Sequence, residues 1–451
     1  MKIEIAIKKP TEGRFSEIIL GYQDKKGNKI EALLNIDYEN IYKFTRKKTG
    51  ISFDLFLISC FVYGIDIFIP RDNYSFNGWA REIESVFPVE YSDVFNKYKK
   101  ELNHLLSFLT GDIWNVSFKK RNVTSLYENK KSLKVCPPLY NNLFEKVSLF
   151  SGGMDSLIGV IDELSVLKGN IVLASHYDAI FKGPKSDQDK IEEKLKIKYP
   201  NKYHLIQTRV DLSTENINIE TTLRSRSFLF LCHSVLIAES LGNSIEILIP
   251  ENGTIALNHP LTPSRRSSCS TRTAHPYYLL KLSEYISKLR INHNIRNKYE
   301  LKTKGEMVEE CKDRNLLLSI YKDSCSCAKR GTRKDVWDTP NGTHHCGTCM
   351  PCIYRRVALN KIGIDNEIVG TDLFNPQKRT FKKLPEIPSF FDYLETKLTL
   401  DDIEKNLLVN GSLPLEKITE YAKVVYRTRE EIYAWIKQKG NDEIKNRLGI
   451  K

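Results

Sequence analysis

Val147-Ser148-Leu149-Phe150-Ser151-Gly152-Gly153-Met154-Asp155-Ser156 is the stretch on which the reading of the fold turns. Val147 to Phe150 is a short apolar run of strand type, and it enters a glycine turn. From Ser156 to Leu167 the apolar residues recur at helical spacing. A glycine pair between a buried strand and a helix lets the backbone approach an anion closely. The unpaired N–H groups at the start of that helix, with the helix dipole behind them, then meet a phosphate. Ser151 and Ser156 add hydroxyl donors, and Asp155 is placed to position the Mg²⁺ that accompanies ATP. Ser-Gly-Gly alone is common in plain strand-turn-helix connections. The full six-residue string in this context is far less so. It lacks the terminal Lys and Ser/Thr of the Walker-type loop, which disfavours kinase chemistry.

Working outward, strands and helices alternate. Ile171 to His176 reads as a second strand and Gln188 to Lys198 as a charged helix. His204 to Val210 reads as a third strand, Ser227 to Leu241 as a long apolar helix and Ile245 to Pro250 as a fourth strand. Such alternation predicts an α/β fold, a doubly wound parallel sheet covered by helices, with ligands beyond the carboxyl ends of its strands. Upstream, residues 1–142 read as a separate α+β unit. Strands are expected over Lys2 to Lys8, Glu17 to Tyr22 and Ile67 to Pro70, and a helical stretch from Ser92 to Leu109. A linker is expected around Cys136-Pro137-Pro138. Downstream, residues 143–375 hold the nucleotide domain, and residues 376–451 a helical extension that follows a loop marked by Pro376, Pro385 and Pro388.

At 451 residues, with 41% hydrophobic composition, the chain is long enough for more than one core. Its net charge of +13 admits nucleic acid as a partner, but a solvated basic surface is the plainer reading, because no basic-aromatic nucleic-acid module is visible. A polyanionic nucleotide or an acidic protein would use the same charge. The apolar stretch from Ile51 to Pro70 is interrupted by Asp54, Gly64 and Asp66, so a buried helix followed by a strand is expected rather than a membrane span. The N-terminus has no signal-peptide pattern, and a cytoplasmic location is expected.

Of ten cysteines, five gather between Cys325 and Cys352 at spacings that suit a metal. Tetrahedral Zn²⁺ takes four ligands. The assignment is Cys325, Cys346, Cys349 and Cys352, with Cys327 as the substitute and His344 and His345 as weaker contenders. No open coordination position is implied, so the zinc is expected to be structural.

Ser151-Gly152-Gly153-Met154-Asp155-Ser156 resembles the signature of PP-loop pyrophosphatases, which cleave ATP between its α and β phosphates. Together with Cys346-Gly347-Thr348-Cys349-Met350-Pro351-Cys352 it resembles the 7-cyano-7-deazaguanine synthase (QueC) family, over about Val147 to Ile362. Arg226-Ser227, Ala238-Glu239, Lys304-Gly305-Glu306, Ser324-Cys325 and Arg355 or Arg356 match further short motifs of that family. Four departures stand out. Ser227 replaces an Asn, Ser270-Thr271-Arg272-Thr273-Ala274-His275-Pro276 replaces the substrate loop, 20 residues separate Cys325 from Cys346 against the family's short gap, and the N-terminal 140 residues have no counterpart. These features, with Phe108-Leu109-Thr110-Gly111-Asp112, are similar to the enlarged QueC-like proteins of anti-phage defence islands, the QatC group.

The resemblance implies a PP-loop (HUP-like) fold, a zinc-bound C-terminal extension, and activation of 7-carboxy-7-deazaguanine by ATP and Mg²⁺, after which an amine displaces AMP. It implies Ser151, Gly152, Gly153, Met154, Asp155 and Ser156 at the nucleotide. Arg226 or Arg272 is expected on the carboxylate, with Lys304 and Arg355 as further cations against growing charge. Asn252 and Asn258, with Glu251, follow the fourth strand and either contact the base or cap a loop. His275 is either a general base for the amine or a packing histidine. A protein partner presenting the amine is expected, because 140 extra residues exceed what ammonia capture requires. Ordinary synthesis of the nitrile from ammonia is the alternative, and a tRNA-modifying PP-loop enzyme is a further one.

Overall fold

The computed structural model describes residues 1–10, 15–47, 49–76, 78–123, 125–126, 144–180, 183–214, 218–242, 244–260, 272–330, 337–339, 341–375 and 386–450. The Cys136-Pro137-Pro138 linker, Ser270, Thr271, Pro376 and Pro385 lie outside them. The strands are β1 (Lys2–Ile7), β2 (Ile18–Gln23), β3 (Lys29–Ile36), β4 (Glu82–Val89) and β5 (Ile113–Lys120), then β6 (Phe144–Leu149), β7 (Asn170–Tyr177), β8 (Tyr203–Ser213), β9 (Glu246–Leu248) and β10 (Asn294–Arg296). They form one mostly parallel sheet in the order β10-β9-β6-β7-β8-β3-β2-β1-β4-β5.

β6 to β10 run parallel to one another, and β6 lies between β7 and β9. The chain first winds from β6 outward through β7 to β8, then returns to the other side of β6 for β9 and β10. That reversal opens a crevice beyond the carboxyl ends of β6 and β9. β7 is buried at Ile171 to His176 on both faces, as a central parallel strand must be, and Ile171 to Ser175 are accordingly apolar or small. β1 instead alternates exposed and buried residues, which marks a sheet with one covered face.

The N-terminal residues continue this sheet rather than stand apart from it. β3 pairs antiparallel with β8, Leu34 opposite Leu212 and Ile36 opposite Val210. Ile51–Phe68 is a single helix, so the strand expected at Ile67 to Pro70 is absent. Ile67 and Ile69 are β-branched and suggest a strand, but a helix buried on every side tolerates them. It ends where Pro70 forces Ile69 into extended backbone. Gly64 lets this helix lie close on the sheet: a Cβ there would meet Leu20 at 2.9 Å and Leu34 at 3.1 Å. The helix is apolar enough to cross a membrane, yet 94% of its apolar window is buried in the protein. It packs along the helix Arg226–Leu241, and Phe56 and Phe61 join Phe228, Leu231 and Val235 in one core. Each such aromatic side chain contributes about 1.5–3 kcal/mol on full burial.

The stretch Ser92 to Leu109 divides into helices Ser92–Lys97 and Lys99–Thr110. The C-terminal residues are helical as expected, with Pro388 inside the first of these helices, Glu386–Glu395. The long helix Ile418–Lys439 packs against Met350–Lys361 and Lys304–Glu309.

Candidate functional site

A cavity of about 580 Å³ opens at the carboxyl ends of β6 and β9, bordered by Ser151, Asp155, Arg226, Glu251, Lys304 and Arg330. Its floor is the loop read from the sequence. Gly152 has φ +83°, and a Cβ there would also press on Asp187 and Gln188 at 3.3 Å, so glycine is required twice over. The Ser151 N–H donates to Ser156 Oγ at 3.2 Å, and the Ser156 hydroxyl donates to the Gly153 carbonyl at 2.9 Å. The helix Met154–Val166 starts directly from this turn, so the free N–H groups of its first turn belong to the cavity floor. Behind it, Gly159 lets the helix touch β9's exit, because a Cβ there would overlap Pro250 at 2.3 Å.

Asp155 stands at the first turn of that helix, and each of its carboxylate oxygens has a partner. Lys304 Nζ lies 2.5 Å away and Asn252 Nδ2 2.6 Å away. Burial works to raise its pKa, but the Lys304 charge and hydrogen bonds from Glu251, Lys304 and Asn252 outweigh it, and Asp155 stays below its ordinary value. Glu251 is driven the other way, first by burial and then by the Asp155 charge, well above the usual carboxylate range.

Lys304 opens the helix Lys304–Glu309, whose start is fixed by a capping box between Thr303 and Glu306. The C-terminal extension braces that helix. Thr303 Oγ1 donates to Glu431 at 2.6 Å, Arg427 pairs with Glu306 at 2.6 Å, and Lys361 pairs with Glu431 at 3.0 Å. Arg226 enters the cavity from the first turn of its helix, its guanidinium 5.3 Å from the Phe230 ring centre. Its buried Nε has no hydrogen-bond partner among the described residues. On the opposite wall Arg330 pairs with Asp187.

Residues 325–330 form a strap along the cavity, tied to the loop by the Cys325 N–H on the Gly152 carbonyl at 3.0 Å. The strap leads into the cysteine cluster. The four thiols brought together are Cys327, Cys346, Cys349 and Cys352, whose sulfur atoms lie within 4.8 Å of one another. A tetrahedral zinc with Zn–S bonds of about 2.3 Å sets sulfurs about 3.8 Å apart. Cys346 to Cys352 measures 3.8 Å and Cys327 to Cys349 measures 4.0 Å, so the cluster fits zinc. Backbone N–H groups already point at its sulfurs, Cys349 N at Cys346 Sγ (3.3 Å) and Cys346 N at Cys327 Sγ (3.4 Å), as thiolates require. Gly347, at φ +82°, makes the turn, since a Cβ there would overlap the Thr371 carbonyl.

The assignment of Cys325 as a ligand is thereby corrected to Cys327. Cys325 is held at the Ser151 to Ser156 turn by its own N–H, and its thiol points to the His344 carbonyl instead. His344 and His345 are not part of the four-thiol group.

Four other expected site residues lie off the cavity. Arg272 donates to the Phe108 carbonyl at 2.7 Å and stacks over the Phe108 ring. His275 caps the helix Pro276–Lys288, and burial pushes its imidazole down to about 3, so it is a packing histidine rather than a base. Asn258 ends the helix Gly253–Leu257 in left-handed conformation, its carbonyl bound by Asn410. Arg355 is buried on Glu367, Ser324 and the Tyr321 carbonyl and is structural. Asp187, Thr221 and Leu223, which sequence reasoning missed, also border the cavity. Asp187 follows β7 at its carboxyl end, and that position was a readable signal. No protein-family model, curated relative or solved structure matches the chain.

Proposed function

We propose that the chain activates a carboxylic acid as its adenylate and joins it to an amine, with a 7-carboxy-7-deazaguanine-type acid as substrate. The observation that carries this reading is the buried Asp155–Lys304 pair beside the Ser151 to Ser156 turn, in a cavity that Arg226 enters. The resemblance to the QueC family, and to its enlarged defence-associated branch, supplies the acid and points to a protein as the amine donor.

In this scheme an oxygen of the acid attacks the α-phosphorus of ATP, the bond to the bridging oxygen breaks, and pyrophosphate leaves. The amine nitrogen then attacks the acyl carbon, AMP leaves, and the amine surrenders a proton. Ser151, Gly153 and the first-turn N–H groups of the helix Met154–Val166 hold the phosphates, while Gly152 and Ser156 shape the turn. Lys304, kept charged by Asp155, offsets charge growing on the phosphorus, and Arg226 orients the acid's carboxylate. Asp155 and Glu251 border the cavity and would be the carboxyl groups to hold Mg²⁺, which would favour the charged form of Glu251 and neutralise phosphate charge. Zinc on Cys327, Cys346, Cys349 and Cys352 would hold the strap 325–330 against the loop and take no part in the chemistry. Such a reaction suits the cytoplasm, where ATP is plentiful.

The test is release of pyrophosphate and AMP from ATP, dependent on the acid, by the wild type beside an Asp155→Ala control. Amide or nitrile formed efficiently from free ammonia would contradict a protein donor.

A further inference from the structure

The cavity wall formed by residues 220–226 is held almost entirely by the N-terminal part of the chain. The Glu220 N–H donates to the Ile67 carbonyl at 2.7 Å, and the Glu220 carboxylate accepts from the Arg71 N–H at 2.9 Å. Arg224 donates to the Thr110 carbonyl at 2.9 Å and lies 3.8 Å from the Trp79 ring centre. Asp66, near the end of the helix Ile51–Phe68, accepts from Ser225 twice, from its N–H at 2.9 Å and its hydroxyl at 2.8 Å. Ser225 is the residue that precedes the helix carrying Arg226.

Asp66 is itself immobilised. It pairs with Arg71 and Arg81, both of which also pair with Asp112, and all four side chains are buried. Burial would raise the Asp66 pKa, but Arg81 and Arg71 hold it down at about 2, so the carboxylate is charged at every working pH. A charged acceptor at the start of a helix binds N–H donors more strongly than a neutral one and opposes the helix dipole. A buried network of this kind contributes little net stability compared with apolar packing, so its use is geometric.

We propose that Asp66 is a positioning residue for Arg226, and that the N-terminal part of the chain builds the acid-binding wall of the active site. The proposal deepens the adenylation reading and rests on it for the role of Arg226. Asp66 does not border the cavity. It fixes Ser225, and Ser225 fixes the direction in which the next residue enters the cavity. A displacement of about 1 Å at a charge-holding group costs about a hundredfold in rate.

The full-length protein tests this in two measurements. In acid-dependent pyrophosphate release, D66N and R226A are each expected to lower kcat/KM about a hundredfold. The D66N/R226A double variant is expected to be no worse than R226A alone, because both changes remove one contribution. Losses that multiply in the double variant would overturn the proposal. In hydrogen exchange, D66N is expected to speed exchange over residues 220–230 and leave residues 151–166 unchanged. Unchanged exchange over 220–230 would overturn it as well. S225A removes one hydrogen bond and leaves the Arg71 and Arg81 pairs intact. If D66N does not fold, S225A carries both tests, with a several-fold loss expected in the wild-type background and none in the R226A background. A wild type that releases no pyrophosphate would sink the adenylation reading, and the exchange measurement would still decide whether Asp66 positions this wall.

Discussion

Lys304 Nζ lies 2.5 Å from the Asp155 carboxylate, two side chains brought together across about 150 residues of the chain. Both are buried, and neither has solvent to replace the other. Breaking a buried pair by removing one partner costs about 3–5 kcal/mol, because a charge is left uncompensated. Lys304→Ala is therefore expected to lower stability to denaturant by that order and to lower pyrophosphate release by about 10²–10³. A Lys304→Ala protein as active as the wild type would remove Lys304 from the chemistry.

The metal assignment separates two cysteines only two residues apart. Cys327→Ala is expected to abolish tightly bound zinc, measured by metal analysis of the purified protein, whereas Cys325→Ala is expected to retain it. The reverse pattern would return Cys325 to the ligand set. Chelation of the wild type is expected to free the strap 325–330 and expose it to proteolysis, since it would then be tied to the loop chiefly by the Cys325 N–H.

Asp178 gives a pH dependence with a definite sign. Its carboxyl accepts from the Tyr63 hydroxyl at 2.9 Å, and burial pushes it up to about 6 despite help from Ile180 N and Tyr63. The ordinary value is about 3.9. A raised folded pKa means that its contribution is fully present below about pH 4 and is lost as pH rises through about 6. Asp178→Asn is expected to gain up to about 3 kcal/mol over the wild type at pH 8 and almost nothing at pH 4. Equal effects at both pH values in denaturant titrations would contradict the assignment.

Gly159→Ala tests the contact between the helix Met154–Val166 and β9's exit. The new Cβ would overlap Pro250, which precedes Glu251 in the cavity. Overpacking of this kind costs about 1–3 kcal/mol, and the displaced Glu251 is expected to weaken ATP binding as well. Unchanged melting and ATP affinity would mean that the helix and strand separate freely.

The parallel half of the sheet was legible because β6, β7 and β8 each carry an apolar or alternating run between clear turn residues, and the loop string lies where a strand meets a helix. β10 is three residues long and too short to announce itself. The joining of the N-terminal strands to the same sheet was not legible, since pairing of β3 with β8 spans about 180 residues and no local pattern records it. Within the site, Asp155, Lys304, Arg226 and Asn252 were named and are brought to the cavity or to Asp155 itself. Arg272 was misplaced, and His275 was left between two roles, because charge and type were visible, whereas burial against Phe108 was not. Cys325 and Cys327 could not be separated by spacing, because what divides them is one backbone hydrogen bond to Gly152.

The central claim is adenylation of an acid at the Asp155 loop. The direct measurement is pyrophosphate and AMP release by the purified protein with ATP, Mg²⁺ and 7-carboxy-7-deazaguanine, beside Asp155→Ala. The account expects stoichiometric pyrophosphate and AMP that require both the acid and Asp155. Release of phosphate and ADP, or pyrophosphate release that Asp155→Ala leaves unchanged, would contradict it.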